Sequence, residues 1–79
     1  MIIFQRNSET YYQAKHNDLL FELYFAQTKD RWILNTYRRI ACSWRIQRTH
    51  EFHPSKVETY NSMISYFLKT HDCDVRWNV

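Results

Sequence analysis

The 79-residue chain contains no glycine and a single proline. Glycine is the default residue wherever a backbone must take a positive φ, so its absence limits how a sheet can reverse direction. The turns must come from Asn and Asp, which tolerate turn geometry and bond to their own backbone. His16-Asn17-Asp18 and Thr28-Lys29-Asp30 are the segments that fit. The same absence removes whole classes of function: there is no dinucleotide fingerprint, no phosphate-cradling loop, no nucleophile elbow and no calcium loop.

The length allows one small domain, expected to be a single compact unit over residues 1–79. It excludes multidomain enzymes, barrels and doubly wound folds. Apolar content is high for a chain this short, at 44% hydrophobic with five Phe, six Tyr and three Trp. Enough surface can be buried to offset the entropy of ordering, so disorder is excluded.

The clearest element lies near the C-terminus. Val57, Tyr60, Ile64, Phe67 and Leu68 recur on one helical face, with Lys56, Thr59, Ser62, Ser65 and Lys69 on the other. Ser55 and Glu58 fit a capping box, and Pro54 stops the helix from starting earlier. The spacing predicts a helix over about 55–70. Cys73, Val75, Trp77 and Val79 then alternate with Asp74, Arg76 and Asn78, a half-buried strand. Ile40, Cys42, Trp44 and Ile46 alternate with Ser43, Arg45 and Gln47 in the same way, which predicts a strand with its apolar side inward and a turn at Arg38-Arg39. Phe21, Leu23 and Phe25 mark a strand over Leu20–Ala26; Arg31–Tyr37, Ile2–Gln5 and Thr10–Lys15 are weaker candidates.

The alternative is all-α, with Asp18 and Asp30 as N-caps and helices over Leu19–Gln27 and Arg31–Ile46. A glycine-free chain suits helices, but the density of aromatic and β-branched residues suits a pleated surface. The expected fold is therefore α+β: a small antiparallel β-meander packed against one helix, with a C-terminal strand and one solvated sheet face.

The formal charge of +3 is unevenly spread. Arg31, Arg38, Arg39, Arg45 and Arg48 fall in a stretch, 31–50, that holds no acid, while the remainder is slightly acidic. This basic segment, 31–48, is either an ordinary solvated face or a surface for an anionic partner. Arg38, Arg39, Arg45 and Arg48 are the candidate contacts, with Tyr37 as an aromatic one. Tyr11 and Tyr24 are further aromatics that a sheet could expose, whereas Trp32, Trp44 and Trp77 are expected in the core.

Chemistry-bearing constellations are sparse. His50-x2-His53 and His71-x-Cys73 have the spacing of ligand pairs, but they flank a helix about 24 Å long at about 1.5 Å per residue, too far apart to share an ion. No metal or other cofactor is expected. Cys42 has no local histidine, and Cys73 sits beside Asp72 and Asp74, which oppose thiolate formation. Two cysteines make no disulfide framework, and they can pair only if their strands are neighbours. The start Met-Ile-Ile-Phe-Gln-Arg is not a secretory signal, and no apolar run approaches the ~18 residues of a membrane span. A cytoplasmic chain with reduced thiols, no membrane partner and no enzymatic activity is the expectation.

No motif assigns a family. In general build, with its Ile-Ile-Phe start, dense aromatics and lack of glycine, the chain resembles small phage- or plasmid-encoded inhibitors of bacterial defence systems, of the anti-CRISPR type. That resemblance implies a non-enzymatic inhibitor in the host-cell cytoplasm that covers a surface on a host protein or nucleoprotein complex, such as a CRISPR effector. The alternative expectation is a module that binds nucleic acid directly through residues 31–48. An exposed edge strand leaves both monomer and homodimer open.

Overall fold

A computed structural model describes residues 1–78. Five strands follow one another, β1 (Ile2–Ser8), β2 (Tyr11–His16), β3 (Leu19–Ala26), β4 (Arg31–Ile40) and β5 (Ser43–Glu51), followed by helix α1 (Lys56–His71) and strand β6 (Val75–Trp77). They form one sheet in the order β5-β4-β3-β2-β1-β6. The meander is antiparallel throughout, and β6 adds to β1 in parallel. The helix makes that parallel pair possible, because it carries the chain from one edge of the sheet to the other. The fold is α+β, as the strand periodicity predicts, and the all-α alternative is set aside. Cys73, which the alternation placed in the last strand, precedes it, and Val79 lies outside the described residues.

Asn and Asp do the work of glycine. Four of the described residues take positive φ: Asn17 (56°), Asp30 (53°), Ala41 (57°) and Asp72 (50°). Asn17 and Asp30 occupy the two turns read from the sequence, and Asp72 caps the helix C-terminus in the left-handed region, its N–H donating to the Phe67 carbonyl. Ala41 has no such excuse. With Cys42 it makes the two-residue turn between Ile40 and Ser43, where positive φ at the first turn position normally calls for glycine.

One sheet face carries Ile2, Phe4, Tyr12, Ala14, Phe21, Leu23, Trp32, Leu34, Val75 and Trp77, all buried beneath the helix. Burial of the helix itself differs from its sequence reading. The seam is Thr59, Met63 and Phe67, flanked by Tyr60, Ile64 and Tyr66, while Val57 and Leu68 face solvent. Thr59 joins the buried side because its hydroxyl donates to the His53 carbonyl at 2.8 Å, which satisfies a polar atom beneath the helix. Half of the expected capping box forms: Ser55 Oγ accepts from the Glu58 N–H. The Glu58 carboxylate turns instead to His53 Nε2 at 3.1 Å, and the Ser55 N–H donates to His53 Nδ1.

Candidate functional site

β4 and β5 are the longest strands, and beyond Thr36 and Arg48 they leave the shelter of the helix. Every residue from Arg38 to Thr49 is exposed, which makes the end of this hairpin a two-stranded arm with both faces in solvent. The turn lies at Ala41-Cys42 rather than at Arg38-Arg39, so those two arginines sit within β4. No residue near position 41 announces a turn, because alanine has no propensity for the backbone it adopts there.

The arm's register decides what each face presents. Up to Thr36↔Arg48 the two strands pair regularly; from Tyr37↔Ile46 onward the register has slipped by one, so Gln47 is the extra residue of a β-bulge. A slip of one residue inverts the faces of everything beyond it. Arg45 thereby joins Arg38 and Arg48 on the helix side, with Arg38 directly opposite Arg45. Trp44 and Ile46 go to the open side, beside Arg39 and Tyr37. The inward strand expected at Ile40, Cys42, Trp44 and Ile46 is therefore corrected: Ile40 (48%), Trp44 (39%) and Ile46 (56%) are exposed, and Cys42 is exposed in the turn. Trp32 and Trp77 are core residues as expected, but Trp44 is not. The two cysteines are free, and β5 and β6 are opposite edges of the sheet.

The five candidate residues thus divide. Arg38, Arg45 and Arg48 form one cluster, while Arg39 and Tyr37 belong to the other face. None of the four arginines has an ion-pair partner among the described residues; the pairs formed are Arg6–Glu9, Lys29–Glu51 and His53–Glu58. Two like charges directly across an antiparallel pair destabilise it, so the arm keeps its Arg38–Arg45 pair at a cost.

At the base of the arm lies an open cleft of about 300 Å³, lined by Thr36, Arg38, Gln47, Arg48, Thr70 and His71 among others. Burial, and then the nearby charges of Arg48 and His16, pull the His71 pKa below its ordinary value. Thr36 is 5% exposed, and its Oγ1 is buried without a hydrogen-bond partner among the described residues.

Tyr37 is tied down by a polar network on the open face. Its hydroxyl donates to Glu22 Oε1 at 2.6 Å, and the Tyr11 hydroxyl donates to Glu22 Oε2. Thr49 Oγ1 donates to Asn35 Oδ1 at 2.8 Å, and Asn35 lies directly across from Glu22 in the sheet. The network spans β2 to β5. Burial alone would raise the Glu22 pKa, but the bonds from Tyr11 and Tyr37, with the Asn35 amide beside them, outweigh it and hold the carboxylate below its ordinary value. Both phenols are pushed up to about 12: Tyr11 by burial first and then by Glu22, Tyr37 by its bond to Glu22 first. A low carboxylate and high phenols leave none of the three poised to exchange a proton near neutral pH.

Among the described residues no three His, Cys, Asp or Glu side chains converge on a possible metal position. No helix there is long and apolar enough to cross a membrane. No protein-family model matches the chain, and neither the curated proteins nor the solved structures yield a significant match.

Proposed function

We propose that the chain is a non-enzymatic binding protein, a small inhibitor or adaptor that docks through the β4–β5 arm onto an anionic surface of a larger protein or nucleoprotein complex. The observation that carries this reading is the sorting by the Gln47 bulge: unpaired arginines on one side of an exposed arm, with Trp44, Ile46, Tyr37 and Arg39 on the other. Trp, Tyr and Arg are the residues that dominate binding hot spots. The exposed Ile40, Trp44 and Ile46 add apolar surface that a partner would cover. The resemblance in build to inhibitors of bacterial defence makes a host defence complex, CRISPR effectors included, the first partner class to try, in the cytoplasm of a host cell.

A second reading has its own support. A two-stranded ribbon fits the major groove of duplex DNA, which is about 12 Å wide, and arginines on one face of a ribbon can meet phosphates or guanine edges. Capture from a bacterial lysate, with and without nuclease and at two salt concentrations, separates the two. Docking on a protein surface survives nuclease and is lost in Trp44→Ala and in the triple charge reversal Arg38→Glu, Arg45→Glu, Arg48→Glu. Direct nucleic-acid binding disappears with nuclease and falls steeply with salt, as release of counterions from phosphate requires. A partner held equally well by the wild type and both variants would remove the arm from either reading.

A further inference from the structure

The cleft at the base of the arm is built from three elements: Thr36 and Arg38 from β4, Gln47 and Arg48 from β5, and Thr70 and His71 from the end of α1. Two observations about it are independent. First, its ionisable lining is entirely basic. Asp18 and Asp72 adjoin Leu19 and His71 in sequence, but both are exposed and neither lines the cleft. Second, Thr36 places a hydroxyl at the cleft that is more than nine-tenths buried and has no hydrogen-bond partner among the described residues. Buried polar groups nearly always find a partner, and of the three that lack one among the described residues, Thr36 Oγ1, Tyr66 Oη and Trp77 Nε1, only Thr36 belongs to the lining of this cleft, where a bound group would supply it.

We infer that the cleft is a site for a single phosphate-type oxyanion, held by the Arg38 and Arg48 guanidinium groups and accepting a hydrogen bond from Thr36 Oγ1. Guanidinium forks match the oxygens of phosphate, and bonds of that kind are about twice as strong as neutral ones. Gln47 lines the cleft because the bulge leaves it outside the regular pairing, so the same irregularity that sorts the arm also furnishes the site. His71 lies below its ordinary pKa, which leaves a neutral imidazole with one N–H to donate. One feature opposes an anion: α1 ends here, and its last carbonyls carry roughly half a negative charge. Two full guanidinium charges on the facing strands outweigh it.

The inference does not rest on the docking reading, since inorganic phosphate alone satisfies it. The probe is inorganic phosphate added to the full chain at low chloride, followed by the NMR signals of the His71 imidazole and the Arg48 side chain. Saturable shifts at millimolar phosphate are expected, with affinity falling about tenfold in Arg48→Gln and in Thr36→Val, as loss of one charge-assisted bond implies. Thr36→Val separates this role from a structural one: removing an unpartnered buried hydroxyl raises the melting temperature while it weakens phosphate. Arg76→Gln, exposed in β6 at the far edge of the sheet, leaves binding unchanged. The source of the phosphate is read from a mononucleotide and a short single-stranded oligonucleotide. Affinity that rises with oligonucleotide length and falls with salt assigns a backbone phosphate, and affinity already complete with the mononucleotide assigns a free one. Absence of saturable shifts overturns the inference, as does equal binding by wild type, Arg48→Gln and Thr36→Val.

Discussion

Replacing Glu22 by Gln keeps the side chain's shape and removes its charge, which makes it a direct test of the network on the open sheet face. The wild-type carboxylate accepts bonds from Tyr11 and Tyr37. A glutamine amide has one oxygen to offer, and its nitrogen cannot accept, so one phenol loses its acceptor and the other loses a charged one. Bonds to charged groups contribute about 1.5–3 kcal/mol each where buried. Glu22 is only partly buried, so solvent screening reduces this to a total loss of about 1–2 kcal/mol at neutral pH. A chain of this size holds roughly 4–12 kcal/mol, so the loss is measurable by urea unfolding.

The pH dependence carries the sharper result. Tyr11 and Tyr37 have folded values near 12 against an ordinary 10.0, so the stability they contribute is complete below pH 10 and drains away as pH rises toward 12. Two units at 1.36 kcal/mol each set a ceiling of about 2.7 kcal/mol per phenol, which partial exposure cuts to about 1 kcal/mol. Glu22 runs the other way: its contribution is present above the ordinary carboxylate range and is lost as pH falls through its depressed value. Glu22→Gln removes the acid loss and shrinks the alkaline one. The midpoint of tyrosinate formation, followed by absorbance and assigned with Tyr11→Phe and Tyr37→Phe, is expected to fall further for Tyr37, whose shift comes first from Glu22, than for Tyr11, whose shift comes first from burial. An alkaline titration of Glu22→Gln that superimposes on the wild type would refute the network as the cause.

Ala41→Gly relieves the one positive-φ position among the described residues held by a residue with no propensity for it. The strain it removes is about 1–2 kcal/mol and the added unfolded-state entropy returns part of that, so a net gain of about 0.5–1 kcal/mol is expected from thermal unfolding; a loss would refute the strain. Deleting Gln47 leaves Thr36↔Arg48 and Tyr37↔Ile46 as successive pairs, so every face is kept and stability changes by no more than about 1 kcal/mol. Loss of cooperative unfolding in that variant would show that Gln47 is not the extra residue.

Much of the fold was legible because periodicity reports burial. Phe21, Leu23 and Phe25 alternate because β3 has one buried face, and Asn17 and Asp30 mark turns because their side chains tolerate positive φ. The helix was found to within a residue at each end, but its seam was not. Val57 and Leu68 have the right spacing and lie outside the sheet's shadow, while Thr59 is drawn in by one hydrogen bond that no hydropathy pattern records. The arm was misread for a related reason. In Ile40–Gln47 the alternation is real, but alternation names two faces without saying which is buried, and here neither is. The signal that was available is length. From Arg31 to Glu51 there is more β-forming chain than one strand usually holds, and its midpoint falls at Ala41.

The arm and the cleft share one logic. A sheet edge that served stability alone would keep its long strand short or cover it, pair its arginines with acids, and place Trp44 under the helix. This chain does the reverse at three points. It holds Arg38 opposite Arg45, keeps Ala41 in a backbone that suits glycine, and buries the Thr36 hydroxyl without a partner. Each departure costs stability, and all three lie on the hairpin that carries the unpaired arginines. Departures from local rules concentrate where a surface is kept for something other than folding. Two further unpartnered polar atoms, Tyr66 Oη and Trp77 Nε1, lie in or against the core, but the like-charge pair and the unfavoured Ala41 backbone are confined to β4, β5 and their turn, which supports the proposed docking face on the side where the aromatic packing ends.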